Sequence, residues 1–248
     1  MRVLRDDRGF TLAELLVAMA LMGIVMLATA ALYVNSNALF MTETNRAEAQ
    51  QGGRVTLLIQ EDLRMIGTGV PATQAKITAA TATSITFVGD TRGASSLLTA
   101  AVVAGNTTFS VSDTTGIKSG DSVNLINGAT WQNFTVTAVT ATTITVGTPS
   151  TGAYPIGAQV GAPRTITYSW IAGTQTLSRD AGDGNGLLPL ATGVQNFQLT
   201  YFDGNFPESQ TGVLANIRRI AITMTTHSTA SAGAGYFTIN SDARPRNL

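Results

Sequence analysis

The sequence contains no cysteine and a single histidine, His227. Disulfides and cysteine-type zinc sites are therefore excluded, as are sites within one chain that need several histidines. A Ser-His-Asp arrangement would have to use His227. That residue follows the alternating run Ile220, Ala221, Ile222, Thr223, Met224, so it reads as a strand end or a surface position. Charge is also scarce, at 12% of residues, with 15 basic against 15 acidic. A neutral chain without a basic stripe gives no reason to expect a nucleic acid as direct partner. The apolar share of 44% argues against disorder. Abundant Thr, Ala, Gly and Ser suit short strands joined by tight turns.

Against this background one apolar run stands out. Residues 10–34 hold a single charged side chain, Glu14, and no proline. As a helix rising about 1.5 Å per residue, the run can span a hydrocarbon core of roughly 30 Å with some tilt. A cleaved secretory signal would have a shorter apolar core with a small-residue site after it. Here the run is long and Gly9 comes before it. A plain anchor does not account for the carboxylate, which costs about 2.5–3.5 kcal/mol at a helix centre and less near the interface.

The stretch Gly9-Phe10-Thr11-Leu12-Ala13-Glu14-Leu15-Leu16-Val17-Ala18 resembles the cleavage and methylation motif of type IV prepilins and type II secretion pseudopilins. The resemblance implies cleavage between Gly9 and Phe10 by a prepilin peptidase and N-methylation of Phe10. It also implies storage in the inner membrane and later assembly with major and minor pilins through the helix. The leader 1–9 carries Arg2, Arg5 and Arg8, which favour the cytoplasmic side and place the head outside it. After cleavage Glu14 lies one helical turn beyond the Phe10 ammonium on the same face. Its carboxylate can pair with that ammonium in its own chain or in a neighbouring subunit. The family implies that pairing between subunits sets axial register. Gly23, inside the run, fits either close helix packing in lipid or a point where the helix stretches on assembly.

Beyond residue 34 the pattern turns amphipathic. Asn35, Ser36 and Asn37 mark the exit from lipid, and Glu43, Arg46, Glu48 and Gln50 continue a polar face. Val55, Leu58, Ile59 and Ile66 fall at helical spacing with Asp62 among them, a stripe expected to pack on a sheet. Gly52-Gly53 is expected to kink the helix, and Gly67 with Pro71 to end it. The segment Glu61-Asp62-Leu63-Arg64-Met65-Ile66-Gly67 is similar to the second half of the helix in PilW-type minor pilins and J-type pseudopilins. It reads as a helix–head or subunit contact, or as ordinary exposed charge.

The remainder reads as strands at 84–88, 165–170, 176–179, 193–202 and 217–225. Their order resembles the head of the same families, as does the Arg246-Asn247 ending. A further group of short strands, at 107–111, 121–126, 134–139 and 143–146, is punctuated by turn signals and suggests a small barrel or sandwich. The expected fold is therefore α+β. A long N-terminal helix at 10–66, transmembrane at 10–34, packs on an antiparallel β head at 67–248. A small all-β unit is inserted at 95–162. That unit reads as a binding surface, a spacer or a protective cap.

Asp180, Asp183 and Asn185 offer hard oxygen ligands of the kind calcium takes, and some pseudopilins bind calcium. The EF-hand spacing fails, because Leu187 stands where the next oxygen ligand belongs, and a glycine-rich turn explains the stretch better. No other metal or cofactor is expected, and no nucleophile–base pair emerges, so an enzyme is not expected. The expected function is that of a minor pilin in the initiation or tip complex of a type IV pilus. The alternatives are a pseudopilin of type II secretion or DNA uptake, and a pilus-associated adhesin acting through the inserted unit with Trp131 and Phe134 as its aromatics.

Overall fold

The computed structural model describes residues 11–227 and 236–248, with backbone alone at 38 and 40–49. Among the described residues one α-helix, α1 (Leu12–Arg64), is followed by fourteen strands and one short 3-10 helix, Leu214–Asn216. These are β1 (Ile77–Ala80), β2 (Ser84–Gly89), β3 (Ser95–Leu97), β4 (Thr108–Ser110), β5 (Ser122–Asn127), β6 (Thr130–Val139) and β7 (Thr143–Val146). The chain continues through β8 (Gln159–Gly161), β9 (Arg164–Ile171), β10 (Thr176–Asp180), β11 (Leu188–Ala191), β12 (Val194–Phe202), β13 (Arg219–His227) and β14 (Tyr236–Ala243). The class is α+β, a long apolar helix packed on antiparallel sheets.

Two sheets form the head around α1. One runs β1-β2-β9-β10-β11 and the other β12-β13-β14, all neighbours antiparallel. They share one core with the second half of the helix, built from Val55, Ile59 and Leu63 against Phe87, Tyr168, Phe197 and Ile222. Hydrogen bonds from Leu199 N to Ala82 O and from Trp170 Nε1 to Val194 O tie the sheets together. In β12 the apolar spacing from Val194 to Phe197 breaks strict alternation. A register shift between Val194 and Asn196 returns both side chains to the core.

The helix departs from expectation in three respects. It ends at Arg64 with Met65 as C-cap, so Ile66 lies beyond it, bridged to Gly89. Leu63, fully buried, takes the place in the stripe expected of Leu58, which is 36% exposed. The backbone also stays helical through Gly52-Gly53. Gly52 serves close approach instead. A Cβ there would stand 3.1 Å from Ile239 Cδ1, whereas one on Gly53 meets nothing within 4 Å. Gly67 does end the segment, with φ of 81°, and a Cβ there would stand 2.7 Å from the Asn247 carbonyl oxygen.

A six-stranded sheet in the order β3-β8-β5-β6-β7-β4 stands apart from the head. Its first and last strands meet through Ser112 N to Leu97 O, Thr99 N to Ser110 O and the Leu98–Val111 bridge, which closes it into a barrel. Closure removes free sheet edges. The barrel has its own core, with Phe109 and Phe134 edge to face at 4.9 Å. It emerges between β2 and β9, two strands that pair directly and meet at Gly89–Arg164.

Candidate functional site: the N-terminal helix and its seat

The start of α1 is set by Thr11, the N-cap. Its hydroxyl accepts the Glu14 N–H at 3.3 Å, while Glu14 Oε2 accepts the Thr11 N–H at 3.0 Å and the Thr11 hydroxyl at 2.9 Å. This reciprocal capping box satisfies two helix-end donors and a carboxylate that would otherwise face an apolar medium unpartnered. Gly9 and Phe10 lie outside the described residues.

From Leu12 to Asn37 the helix is apolar along 26 residues and 0% of it is buried within the chain. That length is about 39 Å, enough to cross a hydrocarbon core. The bare surface includes Leu15, Leu16, Leu21, Ile24, Met26 and Leu32, each more than half exposed. Among the described residues nothing covers them, an exposed apolar surface of the kind that marks contact with a membrane or another protein.

Residues 4–30 match the prokaryotic N-terminal methylation motif. No curated protein and no solved structure matches the chain. The motif ends inside the bare half of α1 and takes in Gly9, Phe10, Thr11 and Glu14. Together with the apolar helix it supports the type IV pilin and pseudopilin class and processing by a prepilin peptidase. It fits a chain anchored in the inner membrane, and it suggests a structural rather than enzymatic protein.

The second half of the helix is seated by Asp62. Its Oδ2 accepts the Tyr168 hydroxyl at 2.6 Å and Arg179 Nε at 2.8 Å, with Arg179 Nη2 at 2.7 Å. Arg179 Nε also lies 3.0 Å from the Tyr168 oxygen. Burial pushes the Tyr168 hydroxyl well above its ordinary value, and the Asp62 charge adds to the rise. The three groups lock α1 onto β9 and β10. In the sequence Asp62 stands within the apolar stripe, the one local signal of a buried carboxylate; Tyr168 and Arg179 carry none. Glu61 and Arg64, on either side, face solvent.

A second clasp fixes the barrel on the head. Asp121, just before β5, accepts Arg164 Nη2 at 2.8 Å through one oxygen, and Arg92 Nη1 at 3.1 Å and Lys118 N at 2.9 Å through the other. Burial raises the Asp121 pKa, but these donors outweigh it and hold the carboxyl below its usual range. Arg92 and Arg164 sit on the two crossings between head and barrel. Asn124 Nδ2 to Gly69 O and Trp131 Nε1 to Thr73 Oγ1 complete the contact. At Gly161 a Cβ would lie 2.6 Å from Gly69 Cα, so the two backbones touch.

The other singled-out residues are not brought together. Asp180 Oδ1 accepts Gly182 N, and Asp183 accepts the backbone and side-chain nitrogens of Asn185, so these side chains close their own turns. Among the described residues no group of three or more His, Cys, Asp or Glu side chains could hold a metal. His227 ends β13, as read, with its ring 5.0 Å from Tyr236. Phe134 is buried in the barrel core, and the Trp131 indole nitrogen is spent on the head.

Proposed function

We propose that this chain is a minor pilin of the PilW type, built into the initiation or tip complex of a type IV pilus. The leader 1–9 is removed after Gly9 by prepilin peptidase, and Phe10 becomes the methylated N-terminus. The chain waits in the inner membrane through residues 10–34 with its head, 67–248, outside the cytoplasm. It then joins major and minor pilins through α1. Glu14 exchanges its Thr11 donors for the Phe10 ammonium of a neighbouring subunit, which compensates both charges in an apolar core. Neither nucleic acid nor calcium enters this scheme.

The observation that favours a tip position is the placement of the barrel, read as the insertion at 95–162. It docks on Gly69 and Thr73, past the C-terminal end of α1, opposite the bare apolar half. A subunit added beyond this one would meet a closed barrel instead of a free helix end. Repetition along a shaft is thereby disfavoured. Gold labelling of the barrel on intact filaments tests the position: label at filament ends is expected, and label along the shaft contradicts it. Deleting the chain separates the machines. Loss of surface pili with secretion intact is expected, and the reverse result indicates a type II secretion pseudopilin.

A further inference from the structure

A cleft of about 380 Å³ opens at the seam between barrel and head. Its walls come from both units: Gln74 from the loop after α1, Ser122 and Asn133 from β5 and β6, Arg164 and Thr165 from β9, with Asp121 between them. Clefts of this size at the junction of two units are common ligand sites. We propose that this cleft binds a neutral sugar ring.

Three observations select that class. First, the charges of the wall cancel. Asp121 and Arg164, the charged residues of the wall, pair at 2.8 Å, and Arg92, outside the wall, holds the other Asp121 oxygen at 3.1 Å. An anion or a cation finds no uncompensated partner there. The remaining charged residues of 95–162 are Asp113 and Lys118 alone. Second, unspent hydrogen-bonding groups of both kinds line the cleft. Among the described residues the Gln74 amide and the Thr165 hydroxyl make no side-chain hydrogen bond. Arg164 uses one Nη2 contact to Asp121; Asn133 spends its Nδ2 on Ser122 at 2.7 Å and Asn124 Oδ1 at 2.9 Å, while among the described residues its oxygen accepts nothing. Sugar hydroxyls both donate and accept, which matches such a set, whereas an apolar ligand would leave it unpaired. Third, Gly120 lines the cleft without a side chain, and a Cβ there would meet nothing within 4 Å, so the wall is open at that point to an approaching ring.

The site is independent of the assembly reading, since none of its residues lies on the bare helix. Saturation-transfer NMR on the full chain in detergent micelles tests it, with galactose, mannose and N-acetylglucosamine as probes and N-acetylneuraminic acid as the charged control. Transfer to at least one neutral sugar is expected, unchanged by added salt. It should fall at least tenfold in Gln74→Trp and in Thr165→Val, both exposed positions, with melting temperature unchanged. The Glu14→Val chain should bind as wild type does, which separates failure of this site from failure of assembly. Transfer to none of the three neutral sugars overturns the proposal. So does transfer that survives both substitutions, or transfer confined to the charged sugar and abolished by salt.

Discussion

The two halves of α1 share one backbone and face opposite requirements. Residues 12–37 bury nothing within the chain, and their single carboxylate is met by a neighbour three residues away. Residues 52–64 are sunk into the head, and their buried carboxylate is met by groups 106 and 117 residues distant. Half the helix is thus finished by folding; in the proposed function the other half is left for a membrane and then for other subunits. The proposed function gives folding stability to the second half and assembly to the first, so substitutions in each should read out separately.

The largest separation is expected at Glu14. Glu14→Val removes the carboxylate but keeps the run apolar, so membrane insertion and head stability should be unchanged while filament incorporation is lost. Fractionation of membranes and sheared filaments reads both, and normal incorporation would contradict the role given to Glu14. Asp62→Ala should do the opposite. It leaves Arg179 and Tyr168 without their acceptor, and Arg179 is only partly exposed, so a loss of about 2–4 kcal/mol is expected in denaturant unfolding, with insertion intact. The paired glycines give a smaller contrast of opposite sign. Gly52→Leu drives a side chain into Ile239 and Met224 and should cost about 1–3 kcal/mol. Gly53→Ala meets open space and should gain roughly 0.5–1 kcal/mol of helix propensity.

The smallest effect is one of pH. Burial raises the hydroxyls of Tyr168 and Tyr201 in the folded state. Above the ordinary tyrosine value of about 10 the unfolded chain gives up these protons while the folded chain retains them. Their contribution is therefore full below that value and is lost as pH rises toward the folded values. Melting temperature should fall more steeply above it in wild type than in the Tyr168→Phe, Tyr201→Phe double variant.

What could be read in the sequence follows the range of the forces involved. The motif around Glu14 is local, and so is the alternation that marked β2, β9, β12 and β13. The capping box is equally local, joining residues three apart. By contrast, β14 is mostly exposed on the face away from the helix and offered no alternation. The short strands β3 and β8 are held by their neighbours in the barrel rather than by their own pattern. Gly52 looked like a break because glycine weakens an isolated helix. Its actual role depends on Ile239, far along the chain. The clasps at Asp62 and Asp121 likewise depend on partners that only the folded chain brings near.

In the proposed function the bare half of the helix belongs to a processed, assembling subunit. Mass spectrometry of the N-terminal peptide, taken from cells that carry a prepilin peptidase and again after its deletion, tests this most directly. A chain beginning at methylated Phe10 is expected in the first sample and an uncleaved leader in the second. A mature chain that keeps residues 1–9 in both, or one cut beyond the apolar run, would contradict it.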